Sequence, residues 1–249
     1  MGENIELREC RTFDELSECV DLQREVFALP EIEISPVRHL IVTVNAGGFV
    51  LGAFDGEMLV GFVLSVPAFL RGQAAFYSHM TAVKGSHQSS GIGGSLKWAQ
   101  REKALSLGVK FVKWTFEPWK ARNAYFNLEK LGAIVSEYQP NFYGIDYATY
   151  STAGVPIGLA SDRLFAEWHL ESEKVIALSN GETYEETDSP EVAIEVTPDW
   201  AALVARDSNE AIAEQKRLKA EFEPAFERGL VGKAFRRDEN APAYLLYKR

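Results

Sequence analysis

A glycine-rich stretch is the part of the sequence best suited to bind an anion. It reads Gln88-Ser-Ser-Gly-Ile-Gly-Gly94, and it lies between an apolar run that ends at Val83 and a helical pattern that starts near Gly91. Glycines at the start of a helix let the backbone approach a ligand, and the first N–H groups of that helix point outward at its positive end. Such a turn can hold a pyrophosphate without a cationic side chain. A tight strand-to-helix turn with no ligand is the alternative.

Two common phosphate-binding designs fit this stretch poorly. A P-loop ends in Gly-Lys-Ser or Gly-Lys-Thr, whereas this stretch continues as Gly94-Ser95-Leu96. A dinucleotide-binding fingerprint needs a third glycine where Leu96 stands, and it belongs near the start of a parallel βαβ unit. A nucleotide-dependent oxidoreductase is therefore the least favoured function.

Polar side chains near the glycine turn are candidates for moving a proton. Tyr77, His79 and Thr81 alternate along the preceding apolar run, so in a strand they share one face. A histidine titrates near neutral pH and can accept a proton from an amine, whereas a hydrogen bond within the sheet face is the alternative. Glu117 follows the next apolar run and is a candidate base or amine-binding carboxylate, or else an exposed turn residue beside Pro118. The candidate catalytic residues are thus His79, Tyr77 and Glu117.

Hydrophobic periodicity predicts the elements that position these groups. An Asp55-Gly56 turn between two apolar runs predicts a β-hairpin, and Thr12 with Glu15 predicts a capping box at a helix start. Strands are expected over residues 5–10, 49–54, 58–66, 75–83, 109–116 and 133–143, and helices over 12–27, 35–47, 91–107 and 121–131. This order predicts a mixed α/β sheet with helices on both faces.

The pattern changes beyond residue 150. Strands are expected over residues 164–170 and 192–196, an exposed acidic loop over 179–189, and a terminal hairpin from strands over 230–236 and 243–248. A charged helix is expected over residues 208–223, which Pro224 would stop or kink. We therefore predict a core over residues 1–150 and a C-terminal α+β extension over residues 151–249.

The order of elements over residues 1–147, together with several motifs, resembles the GNAT family of acyl-CoA N-acyltransferases. The family motif Arg/Gln-x-x-Gly-x-Gly/Ala begins five residues after a strand-ending valine, and here Val83 is followed by Gln88-Ser-Ser-Gly-Ile-Gly93 at that spacing. Lys130-Leu-Gly-Ala133 is similar to a downstream family segment. Residues 122–132 and Asp162-Arg-Leu-Phe-Ala-Glu-Trp168 resemble a bacterial subfamily of predicted GNAT acetyltransferases.

The resemblance implies a GNAT-type α/β (α+β) fold with a mixed, mostly antiparallel twisted sheet flanked by helices. It implies acetyl-CoA or another acyl-CoA as co-substrate and no metal. Backbone amides of the glycine turn would hold the pyrophosphate, and the fourth strand would pair with the pantetheine arm and polarise the thioester. The binding residues implied are Met80, Thr81, Ala82, Val83, Gln88, Ser89, Ser90, Gly91, Ile92, Gly93, Gly94, Ser95, Asn123 and Phe126.

Two family comparisons bear on catalysis. Another member of the family has histidines at the positions of Tyr77 and His79. Many members have a tyrosine that protonates the departing thiolate, and Leu128 stands at that position here. Tyr125 and Tyr143 are candidate substitutes. A non-catalytic acyl-CoA-binding module is therefore the main alternative to an enzyme.

Composition limits the classes of partner and the compartment that we expect for the protein. The net charge of −10, of which −7 belongs to residues 151–249, argues against a nucleic acid. Apolar runs are shorter than a membrane span, the N-terminus lacks the pattern of a signal peptide, and two cysteines suit a reducing compartment. We expect a cytoplasmic acyltransferase that acts directly on an amine of a small molecule or protein. The C-terminal part would cover the sheet, close the acceptor site or form a homodimer.

Overall fold

The computed structural model describes residues 5–27, 29–144 and 158–249. The chain separates into two compact units, Met1–Lys113 and Trp114–Arg249. This division falls inside a strand and not at residue 150, so the core and extension boundaries expected from the sequence stay a prediction. Within the described residues, no helix is long and apolar enough to cross a membrane.

The first unit contains a sheet with helices on both of its faces. Its strands follow the order β1-β2-β3-β4-β5, antiparallel except for the parallel pair of β4 and β5. The elements are β1 (Ile5–Glu9), α1 (Phe13–Phe27), α2 (Val37–Asn45), β2 (Phe49–Asp55), β3 (Met58–Leu70), β4 (Gln73–Val83), α3 (Ile92–Ser106) and β5 (Phe111–Phe116), the last of which continues into the second unit.

Local sequence explains how these elements begin and turn. The capping box at α1 is present: the Glu15 N–H donates to Thr12 Oγ1 at 3.2 Å, and the Thr12 N–H donates to Glu15 Oε2 at 3.0 Å. The β2–β3 turn places Gly56 at φ 60°, a left-handed conformation that glycine adopts without strain. Both predictions are confirmed. Each feature depends on residues within four positions of one another, so the local sequence is enough to determine it.

The two faces of the first sheet are packed differently. On one face, Leu16 of α1 and Leu40 of α2 share an apolar core with Phe62 and Leu64 of β3. Helix α3 lies on the other face close to β3, where an added Cβ at Gly61 would come within 3.0 Å of the Ala82 carbonyl oxygen and 3.3 Å of the Ile92 side chain. A larger residue at position 61 would crowd Ile92, the first residue of α3, which follows the glycine turn.

The second unit has a second set of antiparallel strands. Neighbouring strands follow the order β7-β6-β9-β10-β8. The elements are α4 (Ala121–Tyr125), which continues as one π-helical turn (Phe126–Lys130), β6 (Ile134–Gln139), β7 (Arg163–His169), α5 (Glu173–Ser179), β8 (Val192–Glu195), α6 (Trp200–Arg206), α7 (Ser208–Glu227), β9 (Leu230–Arg236) and β10 (Ala243–Lys248). The predicted terminal hairpin is confirmed, and so is the predicted mixed, mostly antiparallel fold class.

Several boundaries in the second unit differ from expectation. Helix α7 continues through Pro224 because Phe222 and Ala225 keep an apolar side buried, which outweighs the lost hydrogen bond. Strand β6 ends at Gln139 because Pro140 has no N–H for the ladder and Asn141 is left-handed at φ 48°. Helices α5 and α6 are short, with seven residues each, and were not predicted from the sequence.

Candidate functional site

The glycine turn joins β4 to α3 through an unusual backbone. After Val83 the chain forms one 3-10 turn (Gly85–His87), then Ser89 and Gly91 adopt left-handed φ values of 67° and 92°. Gly91 is the N-cap of α3, and an added Cβ there would meet no atom within 4 Å. Conformation therefore requires the glycine at position 91, and steric crowding does not.

The start of α3 carries backbone donors with no acceptor in the helix. The first hydrogen bond of the helix runs from the Ser95 N–H to the Gly91 carbonyl oxygen at 3.0 Å. The N–H groups of Ile92, Gly93 and Gly94 precede that bond, and no side chain caps them. Gly93 and Gly94 are partly accessible. This geometry suits an anion at the positive end of a 15-residue helix.

Side chains of the loop hold its shape. Gln88 donates from Nε2 to the Val83 carbonyl oxygen at 3.0 Å, and Ser90 Oγ donates to the His87 carbonyl oxygen at 2.5 Å. His87 lies 2.8 Å from Ser86 Oγ through Nδ1 and 3.4 Å from Asp55 through Nε2. The Gln88 side-chain amide thus ties the loop to the end of β4.

A β-bulge interrupts β4 at His79. Met80 is opposite Leu64 and Ser78 is opposite Ser65, so His79 is the extra residue on β4. A bulge shifts the alternation of side chains and is frequent beside active sites. It also removes the backbone at His79 from the regular ladder with β3, next to the segment expected to polarise a thioester.

The bulge corrects one expectation. Tyr77 is opposite Val66 and Thr81 is opposite Val63, and those two β3 residues point to opposite faces. The prediction that Thr81 shares a face with Tyr77 is therefore wrong. Thr81 lies on the α3 side with Ser78, whereas Met80 and Ala82 pack with the core under α1 and α2.

Strand β4 pairs with β5 on one side and with β3 on the other. Its parallel pairing with β5 consists of Phe76 with Val112 and Tyr77 with Lys113, whereas its pairing with β3 continues to Val83. Residues 78–83 form the end of β4, along which the pairing with β3 runs on to Val83. The backbone of Met80, Thr81, Ala82 and Val83 is on this segment.

His79 is in contact with two polar residues from other elements. Its Nε2 lies 3.3 Å from Ser35 Oγ, and its ring centroid is 5.8 Å from that of His39 in an edge-to-face arrangement. Although part of His79 faces solvent, the surrounding protein atoms and, second, the charge of His39 lower the pKa of its imidazole. A neutral imidazole is the form that accepts a proton.

Three predicted site residues lie in the second unit. The Glu117 carboxylate forms an ion pair with Lys120 at 2.6 Å. Asn123 is exposed on α4, and Phe126 is half-buried at the start of the π-helical turn. The roles expected for these three residues remain predictions.

The position at which many GNAT members have the tyrosine that protonates the thiolate is buried in this chain. Leu128 has no exposed surface and lies within the π-helical turn. Tyr143 is exposed, with its hydroxyl 3.2 Å from Thr115 Oγ1, and Tyr125 lies near the Lys130 ammonium group, which is 5.5 Å from its ring. Both tyrosines belong to the second unit.

No pattern in the sequence connects Ser35 or His39 with His79. Ser35 is 44 residues from His79, and neither residue belongs to a motif. The sequence offered only a weaker signal, which is that Ser35 and His39 lie at the start of the predicted second helix. That helix, α2, packs on the same face of the sheet as the His79 side chain.

The architecture is that of the GNAT acetyltransferases. No protein-family model and no curated protein matches the chain, so the fold rests on solved structures. Arabidopsis thaliana NAA60 in complex with a bisubstrate analogue superposes with a TM-score of 0.53 at 14% identity, covering 66% of this chain and 97% of that one.

Two further structures agree. A putative GNAT acetyltransferase from Desulfovibrio desulfuricans has a TM-score of 0.52 at 12% identity, covering 67% of this chain and 99% of its own. A chain of the NatC complex bound to Gag peptide and CoA has a TM-score of 0.52 at 13% identity, covering 67% and 99%. At such identities the likeness establishes the fold and no more.

Proposed function

We propose that the protein is an acyl-CoA-dependent N-acyltransferase, with acetyl-CoA as the donor and an amine of a small molecule or protein as the acceptor. The observation that carries the proposal is the start of α3. There a left-handed Gly91 precedes three N–H groups without intrahelical acceptors, directly after the fourth strand of a GNAT fold. A CoA pyrophosphate has the charge and size for these donors.

The fourth strand supports the same proposal. The backbone of its Met80–Val83 end would offer hydrogen-bonding groups to an extended amide chain, which is the chemistry of a pantetheine arm. The His79 bulge lies beside the Met80–Ala82 amides, one of which would donate to the thioester oxygen as charge develops on it. Support also comes from the NatC chain, a fold neighbour solved with CoA.

We assign to His79 the removal of a proton from the acceptor amine. An amine must lose a proton to attack a thioester, and the lowered pKa keeps the His79 imidazole neutral and ready to take it. Leu128 cannot protonate the thiolate, so water or the proton taken from the amine would do so. Leu128 is also the observation that favours the second candidate, a non-catalytic acyl-CoA-binding module.

Calorimetry with acetyl-CoA, followed by CoA release across a panel of amines, tests the proposal. We expect binding together with release that depends on the amine. His79→Ala should lower kcat by about 100-fold while the acetyl-CoA affinity stays close to that of the wild type. Binding without release for any amine would favour the module, and absence of acetyl-CoA binding would overturn both readings.

A further inference from the structure

The His79 side chain lies in a polar cluster built by three other elements of the first unit. Ser35 comes from the segment before α2, His39 from the first turn of α2, and Gln23 from α1. His79 itself stands at the bulge of β4. We name Gln23, Ser35, His39 and His79 the histidine cluster.

Ser35 is held in place from the side opposite His79. The Gln23 side chain, which is 1% exposed, accepts from the Ser35 N–H at 3.0 Å and donates to the Ser35 carbonyl oxygen at 3.2 Å. Both backbone groups of Ser35 are thus fixed by one buried amide, and Pro36, the next residue, further restricts the Ser35 backbone. The hydroxyl that reaches His79 Nε2 at 3.3 Å is therefore presented by a rigid backbone.

His39 acts on the ring and not through a hydrogen bond. The two imidazoles meet edge to face with an interplanar angle of 79°. Among the described titratable groups, His39 is the one whose charge bears on His79. A positive charge on His39 would disfavour a second positive charge on His79.

We propose that Gln23, Ser35 and His39 are positioning residues that set the tautomer and the charge of His79: Ser35 accepts a hydrogen bond from Nε2–H, Nδ1 becomes the proton acceptor for the amine, and His39 keeps the resting ring neutral. The inference rests on the proposed function and adds which nitrogen of His79 reacts. Hydrogen bonding at one ring nitrogen is a general way to select the tautomer of a histidine.

The proton balance is simple. The amine gives one proton to Nδ1 as its nitrogen bonds to the acyl carbon and the carbon–sulfur bond breaks. The ring is then an imidazolium with Nε2–H still bound to Ser35 Oγ. It returns the Nδ1 proton to the thiolate or to water, which restores the starting state without any oxidant or reductant.

The tautomer and the pKa of His79 can be measured without a substrate. The chain has four histidines, so ¹⁵N NMR titration of the side chains, assigned with single His→Gln variants, resolves each one. We expect Nε2–H in the neutral form of His79 and a pKa below that of an exposed histidine. Ser35→Ala should give a mixture of tautomers, whereas Ser35→Thr, which keeps the hydroxyl, should preserve Nε2–H.

His39→Gln should raise the pKa of His79, because it removes the neighbouring charge, whereas His169→Gln in the second unit should leave it unchanged. If Ser35→Ala leaves the tautomer as in the wild type, or His39→Gln leaves the pKa unchanged in a folded protein, the inference is overturned. A wild-type tautomer with Nδ1–H would overturn it as well.

Kinetics separate this inference from the proposed function. With an amine found by the panel, Ser35→Ala should lower kcat about tenfold with the KM for acetyl-CoA unchanged, and Ser35→Thr should restore the rate. His39→Gln should move the acid limb of the kcat profile to higher pH. If the NMR results appear as expected and no amine releases CoA, the proposed function fails while the structural role of the cluster stands.

Discussion

At the scale of single residues, Lys97 shows how burial and charge oppose each other. It lies on α3 with 3% of its surface exposed, and its Nζ donates to Ser78 Oγ at 3.1 Å and to Gln100 Oε1 at 2.7 Å. Gln100 in turn donates to Ser65 Oγ at 2.7 Å. Burial lowers the pKa of the Lys97 ammonium well below its ordinary value, so this network joins α3 to the sheet through a lysine that deprotonates easily.

The lowered pKa predicts how stability depends on pH. Between the native pKa of Lys97 and its unfolded value of about 10.4, the unfolded chain binds one more proton than the native chain. Stability therefore rises with pH in that window, by up to about 1.4 kcal/mol per pH unit. Urea unfolding of the wild type and of Lys97→Met should be measured across this window. The free energy of unfolding of the wild type should increase relative to that of the variant as pH rises.

A control variant distinguishes this effect from other effects of alkaline pH on stability. Lys216 is an exposed lysine on α7, and Lys216→Met should track the wild type at every pH. A constant difference between wild type and Lys97→Met over the same window would mean that Lys97 stays protonated in the native state.

Single residues also mark the limit of what sequence could predict about the candidate site. The glycine turn was predicted because Val83, Gln88 and Gly91 are close in sequence and their spacing is informative. The contact of His79 with Ser35 and His39 was missed, because it depends on how α2 lies on the sheet and not on any local pattern. The buried Lys97 network was missed for the same reason.

At the scale of elements, the start of α1 is the clearest case of local control. Thr12 and Glu15 exchange hydrogen bonds, and the Arg11 N–H also donates to Glu15 at 2.8 Å. The backbone hydrogen bond from Thr12, against a smaller effect of burial, lowers the pKa of Glu15 to about 2. The carboxylate therefore stabilises this helix end above pH 4.5, the ordinary value, and that contribution is lost as pH falls toward 2.

Removing the cap should weaken the first unit measurably. Thr12→Ala deletes the acceptor of the Glu15 N–H, and we expect a loss of about 1 kcal/mol in the free energy of unfolding. Ser17→Ala, in the interior of the same helix, is the matched control and should change stability by less than about 0.5 kcal/mol. Equal effects of the two changes, measured by urea unfolding at neutral pH, would contradict this role of the cap.

The elements that sequence predicted less well share a physical cause. Periodicity locates β4 correctly, but an inserted bulge residue leaves no signature in an alternating pattern, so the face of Thr81 was wrong. Pro224 was expected to stop or kink a helix, yet α7 continues through it, because packing of Phe222 and Ala225 outweighs the local penalty. Local rules therefore predict where an element is more reliably than how tertiary contacts modify it.

At the scale of the whole molecule, the fold class followed from the order of elements, because a hairpin meander with flanking helices has few arrangements. The division into units did not follow, since it runs through β5 and no composition change marks it. The resemblance to GNAT acyltransferases was visible in a few spaced residues, and the solved structures support it at the level of fold.

The central claim is that the glycine turn binds the pyrophosphate of acyl-CoA, and Gly93 offers the cleanest test of it. Unlike Gly91, Gly93 is not left-handed, and an added Cβ would lie 3.8 Å from Val83 Cγ2, an ordinary contact. Substitution at Gly93 should therefore alter the site without straining the backbone. Gly93→Ala controls for the Cβ, and Gly93→Gln controls for the size of a longer side chain.

The deciding measurement is calorimetric titration of acetyl-CoA into the wild type and into the Gly93→Glu, Gly93→Gln and Gly93→Ala variants. We predict that Gly93→Glu weakens binding by at least about 100-fold, or ~2.7 kcal/mol, because its carboxylate lies beside the pyrophosphate. Gly93→Ala should bind nearly as the wild type does, and Gly93→Gln should fall between them. Wild-type affinity in a folded Gly93→Glu protein would contradict the account, because the pyrophosphate would then be bound elsewhere.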